Sequence, residues 1–377
     1  MQGTRCEVGV IGRKHDGWKW SWPWLGLLLF VGAGSGGFVA GGWLALRWGQ
    51  PTLIPTDATP TANTGNPLES NTVIPPGQLI YNVRTAPPTT YNPQLQATVN
   101  QMVAWVQQQG LPLPALSITL MDVTQPDSPQ IAGYQQQEFR YPASVVKLFW
   151  LTTFLAYQQA GLVSPKEQID LTAMMQQSSN DAASAVVDAI TGTTSGADLS
   201  PALLAQWRQD RERLNHFFRG AGYGYVNLKH KNFPIYSLGQ EEPQGRELQL
   251  RGGVAQPSRN QLTTWQTARL LYEIYTLQAV SPRASQEIQT LIERPADLRA
   301  QNLAGFLGAN LPPDATVMGK EGQTSTTRHD GVIITRTDSR LAYILVVFGD
   351  DPAYSANDQF LPELSRLSWQ AMNRLHP

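Results

Sequence analysis

The apolar positions of this chain change period several times, and each change marks an element. Leu95, Val99, Met102, Val103 and Val106 recur at helical spacing. "LSITLMDV" then alternates as a strand does, and "QIAGYQQ" supplies a hairpin partner. Helical segments are expected from Ser144 to about Gly161, around Asp170 to Ile190, Leu203 to Arg219 and Gln261 to Glu293. Near the end, "GVIITRTDSRLAYILVVFGD" reads as a hairpin, two strands rich in Val, Ile and Leu around a Thr-Asp-Ser turn. "LPELSRLSWQAMNRL" then closes the chain as an amphipathic helix. A purely parallel sheet would alternate strand and helix. This order instead predicts an α/β fold of the α+β type: one antiparallel sheet built from both ends of the body, flanked by terminal helices, with a helical subdomain inserted.

The N-terminal part follows another pattern. No charged residue occurs from Ser21 to Leu46, and the run includes Leu27, Leu28, Leu29, Phe30 and Val31. A bilayer core of about 30 Å needs roughly 20 apolar helical residues, so the run can span. Trp18, Trp20, Trp22 and Trp24 sit at one end and Trp43 and Trp48 at the other, as interfacial aromatics do. Arg5, Arg13, Lys14 and Lys19 precede it and favour a cytoplasmic N-terminus. A cleaved signal peptide is the competing reading, but the run is long and no small-residue cleavage site ends a shorter core. The expected organisation is a cytoplasmic tail (1–20), a transmembrane anchor (21–46), a disordered linker (47–93) rich in Pro, Thr and Asn, and a folded extracytoplasmic domain (94–377).

Composition narrows the chemistry. The 28 basic and 29 acidic residues nearly cancel, so no broad field draws the protein to nucleic acid. The single cysteine, Cys6, lies in the N-terminal tail, which excludes disulfides and a cysteine nucleophile in the body. None of the five histidines shows a metal-ligand spacing. No metal or cofactor is called for, and the expected catalytic unit is a monomer.

Three short patterns carry candidate chemistry. In "YPASVVKLFW", Ser144 and Lys147 stand three apart, one turn apart on one helix face. A lysine can take a serine's proton only when its amine is partly neutral, which burial and nearby positive charge promote. The plain alternative is a capping serine and a solvated lysine. In "SSND" (178–181), Ser178 could relay a proton and Asn180 could orient an amide, but Ser and Asn are also ordinary helix caps. In "GKEGQTSTTRHDG", Lys320 and Gly322 could set a cation and a close backbone approach beside Ser178, or form only a basic turn entering a strand.

Taken in order, these patterns resemble the Ser-x-x-Lys, Ser-x-Asn and Lys-x-Gly signature of class A β-lactamases and penicillin-binding proteins. The resemblance runs from about Leu95 to the C-terminus and includes "NQLTTWQTARLL" and "RHDGVI". It implies a β-lactamase/transpeptidase-like fold and acyl-enzyme chemistry on β-lactams or D-Ala-ending wall peptides. Ser144 would be the nucleophile, Lys147 its base, Ser178 the proton shuttle tuned by Lys320, and Asn180 a ligand for the substrate amide. The backbone N–H groups of Ser144 and Gln323 would form the oxyanion hole. Arg328 falls where many class A enzymes keep a cation for the substrate carboxylate, though a solvated arginine entering a strand fits equally.

Three departures bear on function. Ser179 replaces the aspartate of the second pattern. Glu321 stands where the family has Thr or Ser; facing the site it would repel a substrate carboxylate, and turned outward it would not. Matching "FFRGAGYGYVNLKHKNFP" to the family puts Asn232 where class A enzymes carry the glutamate that activates the deacylating water. An amide is no general base. Glu241 and Glu242 follow within a dozen residues and could substitute. Three functions stay open: a β-lactamase-like hydrolase, a penicillin-binding-type peptidase or esterase with slow deacylation, and a non-catalytic envelope-binding protein.

Overall fold

The computed structural model describes residues 81, 83–163, 169–252, 257–337 and 340–377. The expected tail, anchor and most of the linker lie outside the described residues. Among the described residues, no helix is long and apolar enough to cross a membrane.

A short strand, β1 (Thr90–Tyr91), opens the body, and Asn92 caps α1 (Pro93–Gln108) by accepting from the backbone N–H groups of Gln94 and Leu95. The expected hairpin follows as β2 (Leu116–Asp122) and β3 (Gln130–Tyr134). Next comes the helical block: α2 (Val146–Gln159), α3 (Leu171–Gln176), α4 (Asn180–Thr191), α5 (Pro201–Arg211), α6 (Arg213–Gly220), α7 (Gly245–Arg251), α8 (Thr264–Tyr275), α9 (Pro282–Ile292) and α10 (Ala296–Gln301). The chain returns to the sheet as β4 (Ala315–Thr324), β5 (Thr327–Arg336) and β6 (Ala342–Gly349). A short α11 (Pro352–Ser355) leads into α12 (Phe360–Leu375).

The strands form one sheet of six in the order β1-β3-β2-β6-β5-β4, so both chain ends do build it. Every pairing is antiparallel except that of β1 with β3. Both faces are covered. On β6, Ile344, Val346 and Phe348 enter a core shared with α2, α4 and α8, while Tyr343, Leu345 and Val347 enter a second core shared with α1 and α12. This double burial explains why "AYILVVFG" is an unbroken apolar run rather than an alternating one.

Three expectations need correction. The segment from Asp170 to Ile190 is two helices, broken at Ser178. The segments Leu203 to Arg219 and Gln261 to Glu293 are likewise helix pairs, α5 with α6 and α8 with α9. "GKEGQT" is not a turn but the second half of edge strand β4, paired with β5 from Ala315 to Thr324; the turn is confined to Ser325 and Thr326.

Folded structure also begins upstream of residue 94. Besides β1, Tyr81 is buried, edge-on to Phe217, Phe218 and Tyr223. Its hydroxyl and that of Tyr223 both donate to Glu273, whose other oxygen takes Arg269 Nε at 2.8 Å. Composition reads this stretch as tether, and one aromatic anchor overrides it. Truncating a buried aromatic typically costs about 3–5 kcal/mol, so Tyr81→Ala should lower the urea midpoint strongly. Tyr81→Phe, which loses only the charge-assisted hydrogen bond, should cost roughly 1–3 kcal/mol. A Tyr81→Ala midpoint equal to wild type would detach this segment from the fold.

Candidate active site

Ser144 lies in a tight 3-10 turn, Ala143–Val145, that feeds α2. Nearly all of α2 is buried, from Val146 to Tyr157, so the turn stands on a rigid core helix. Ala143 has φ of 46°, a left-handed conformation that costs a non-glycine residue about 1–3 kcal/mol. Its surroundings hold it there. Asn232 Nδ2 donates to the Ala143 carbonyl at 3.2 Å, and His329 Nε2 lies 2.8 Å from the Tyr141 carbonyl. Burial lowers the His329 pKa to about 3, so the ring is neutral and Nε2–H is the donor. On the open side runs β4. A Cβ on Gly322 would come within 2.9 Å of both the Pro142 carbonyl oxygen and the Ser144 nitrogen, so only glycine lets strand and turn lie this close.

Lys147 is fully buried beneath Ser144. Its Nζ is 3.1 Å from Ser144 Oγ, 2.6 Å from the Ser178 carbonyl oxygen, 3.2 Å from Ser178 Oγ and 2.8 Å from Asn180 Oδ1. Burial, reinforced by the charge of Lys320 and opposed by Glu321, pushes its pKa well below the ordinary lysine value. A neutral amine has two N–H donors and one lone pair. The Ser178 carbonyl and the Asn180 amide oxygen can only accept, so they take the donors. The lone pair is then left to the hydroxyls, above all that of Ser144. This is the arrangement a general base requires.

Ser178 reaches the site because the helix breaks there. Its φ is 56°, and the break between α3 and α4 turns both its carbonyl and its hydroxyl toward Lys147. Ser179 caps α4, its Oγ accepting from the Ala182 N–H at 3.2 Å. The serine that stands in place of the family's aspartate is thus a helix cap. Lys320 Nζ is 3.0 Å from Ser178 Oγ. The structure therefore brings Ser144, Lys147, Ser178, Asn180 and Lys320 into one hydrogen-bonded chain.

Glu321 is neither an open anion nor turned outward. Its carboxylate joins Lys320 Nζ on one side and Arg294 on the other, the latter at 3.3 Å, while Arg294 also grips Asp330 at 2.8 and 2.9 Å. Burial alone would raise the Glu321 pKa; Lys320 and Arg294 outweigh it, and the net shift is downward, so the carboxylate is ionised. Burial likewise lowers the Lys320 pKa, with Glu321 opposing. Arg328 is directed elsewhere. Its guanidinium donates to the carbonyls of Gly305 and Ser355 and to Asp358 Oδ1 at 2.6–3.1 Å, bracing the Phe306 segment from behind.

Around the nucleophile is a cleft of about 420 Å³ lined by Ser144, Ser178, Glu321, Gly322 and Gln323, by Gln176 and Gln177, and by Asn302, Leu303 and Phe306 across from them. Asn232 is buried against the catalytic turn, and its Oδ1 has no protein partner. Glu241 and Glu242 are exposed and do not line the cleft. Sequence reasoning passed over Arg294, Asp330 and His329. The last two lie inside the quoted "RHDGVI", whereas nothing local marks Arg294. Among the described residues, no cluster of potential ligands could hold a metal ion.

The sheet between terminal helices, the inserted helices and the Ser-Lys-Ser chain define a serine hydrolase fold of the class A β-lactamase type. The chain belongs to the β-lactamase enzyme family, whose model matches residues 114–372. It is similar to the solved β-lactamase of Sphaerobacter thermophilus at 14% identity and a TM-score of 0.52, covering 74% of this chain and 98% of that one. It is equally similar to a class A β-lactamase of the last common ancestor of Gram-negative bacteria, at 17% identity and 0.52, covering 74% and 100%. A β-lactamase of Xanthomonas campestris matches at 18% identity and 0.51, covering 74% and 98%. These identities establish likeness of fold alone. No curated protein matches the sequence.

The state of Lys147 is testable through pH. Reaction of Ser144 with a fluorophosphonate should rise with pH through the depressed Lys147 pKa and level off well below the ordinary lysine range. Lys147→Arg, which stays charged and cannot lose its proton, should slow it by roughly 10²–10⁴-fold. A profile still climbing toward the ordinary lysine pKa would show that this amine is not the base.

Proposed function

We propose that the protein is a membrane-tethered, extracytoplasmic serine hydrolase that acylates Ser144 with amide or ester substrates, of the class that includes β-lactams and D-Ala-ending wall peptides. The supporting observation is the buried Lys147 amine held between Ser144, Ser178 and Asn180. In acylation, Ser144 Oγ bonds to the carbonyl carbon as its proton passes to Lys147. Backbone N–H groups of Ser144 and Gln323 are suited to hold the oxyanion. The C–N bond then breaks as the leaving nitrogen takes a proton from Ser178, which is resupplied from Lys147, with Lys320 favouring the transient alkoxide. Asn180 steadies the substrate amide. The products are acyl-Ser144 and a neutral leaving amine, and no proton is gained or lost.

Deacylation lacks such equipment. Asn232 is an amide, and both nearby glutamates are exposed away from the cleft. Toward β-lactams the acyl-enzyme is therefore long-lived, as a penicillin-binding protein's is. Membership of the β-lactamase family favours a second reading, rapid β-lactam hydrolysis. The uncharged Ser21–Leu46 run, with cations before it, supports placing the domain outside the cytoplasm.

Two reagents separate these readings. A fluorophosphonate should label the wild type and fail on Ser144→Ala. Fluorescent penicillin at high concentration should give an adduct on Ser144 that persists through gel electrophoresis. Rapid nitrocefin turnover lost in Ser144→Ala would establish the β-lactamase instead. Failure of every reagent to modify Ser144 would leave a non-catalytic envelope-binding protein.

A further inference from the structure

The charges around the cleft can be counted. Lys320 and Arg294 are the cations on its β4 side, and Glu321 and Asp330 are the carboxylates bonded to them. Among the described residues these two cations and two carboxylates pair off, while Arg299, close enough to Arg294 for their charges to oppose each other, is buried and donates to the Gly308 carbonyl. Arg328, the next cation along the sheet, lies opposite Gln323 in register but donates to Gly305, Ser355 and Asp358. Besides the Ser144 and Ser178 hydroxyls and Gly322, the lining groups are amides and apolar side chains: Gln176, Gln177, Asn302, Leu303, Phe306 and Gln323. The one carboxylate in the wall, Glu321, keeps 14% of its side chain exposed. It adjoins Lys320, and through it Ser178, the group placed to protonate the leaving nitrogen.

We propose that Glu321 sets specificity on the leaving-group side, so that the substrate is uncharged or cationic there and a carboxylate is disfavoured. This rests on the acyl-enzyme reading above and narrows it, away from substrates such as D-Ala-ending peptides whose leaving group carries a carboxylate and toward amides and esters whose leaving group does not. An anion entering here would lie beside an ionised carboxylate whose two cations are already paired. It would gain no net attraction and would have to compete for Lys320 and Arg294. A neutral amide, an ester or an ammonium group meets no such opposition, and a cation would find Glu321 as a partner.

The test is a matched pair, benzylpenicillin and its methyl ester, which acylate through the same ring and differ by one charge. Their rates of reaction with Ser144 are divided by their hydroxide-catalysed rates and compared as a ratio. In the wild type the ester should react faster. Glu321→Gln should shrink that preference by about tenfold or more, the scale of one charge–charge contact near a protein surface. A wild-type preference for the free acid, or a ratio unchanged in Glu321→Gln, would overturn the inference. The wild-type arm decides even if the variant folds poorly. A fluorophosphonate run alongside reports on the underlying reading. Labelled wild type with an unmoved ratio sinks only the specificity claim, and unlabelled wild type sinks the serine-hydrolase reading with it.

Discussion

An amine taken out of water beneath a serine is the constraint on which the rest of this site depends. A buried ammonium would need three strong acceptors, or else must lose its proton. Lys147 has two acceptors that cannot donate, the Ser178 carbonyl and the Asn180 amide oxygen, and two hydroxyls. That set suits a neutral amine. To supply it the chain accepts two residues in left-handed backbone, Ala143 before the nucleophile and Ser178 at the helix break. Each strained residue presents groups that an unbroken helix would have turned elsewhere. The strain is held by long-range contacts, from Asn232 and His329 on the catalytic turn and from Lys320 on Ser178.

Strand β4 is the second constraint, and it works because it is an edge. It pairs with β5 along one side; on the other Met318 bridges to Glu293, which leaves the stretch 320–324 to face the catalytic turn. Gly322 permits the contact, and Lys320 extends from the same strand to Ser178. Placing Glu321 next to that lysine allows a buried cation to persist at the site, since an unpaired one would be pushed to deprotonate. The same carboxylate removes the surplus positive charge that would otherwise draw anions into the cleft. Stabilising the catalytic cation and choosing the substrate's charge are thus one interaction.

How much of this was legible in the sequence follows from how local each cause is. The β2–β3 and β5–β6 hairpins and α12 were readable because their apolar patterns are set by burial on the sheet faces. β4 was not, because its second half, "GKEGQT", has little strand propensity and pairs through context. The helix break at Ser178 had a local sign in the capping residues of "SSND", but the left-handed turn that aims Ser178 at Lys147, 31 residues away, did not. Tyr81 escaped because a linker's composition averages over the one residue that docks. At the site, Ser144, Lys147, Ser178, Asn180 and Lys320 were named from three short patterns. Residue type alone could not tell which way Arg328 turns, nor could it find Arg294, which matters only through the partners the fold brings to it.

The two halves of an acyl-transfer cycle are unevenly furnished here, and the asymmetry has a physical consequence. Acylation needs a base next to Ser144, and Lys147 is there. Once the leaving nitrogen has taken its proton through Ser178, that amine is neutral again and remains the base nearest the ester. Asn232 offers no alternative: its Nδ2 is engaged with Ala143, and an amide oxygen binds protons far more weakly than a carboxylate. In the proposed cycle, a nucleophile that breaks the ester by way of Lys147 would enter along the path the leaving group occupied, past Ser178 and Glu321. A leaving group tethered to the acyl part, as in an opened β-lactam, stays in that path and protects the ester. One that departs clears it. On the proposed function, the lifetime of the acyl-enzyme would therefore be governed by how completely the leaving group vacates the β4 side of the cleft, the side where Glu321 sits.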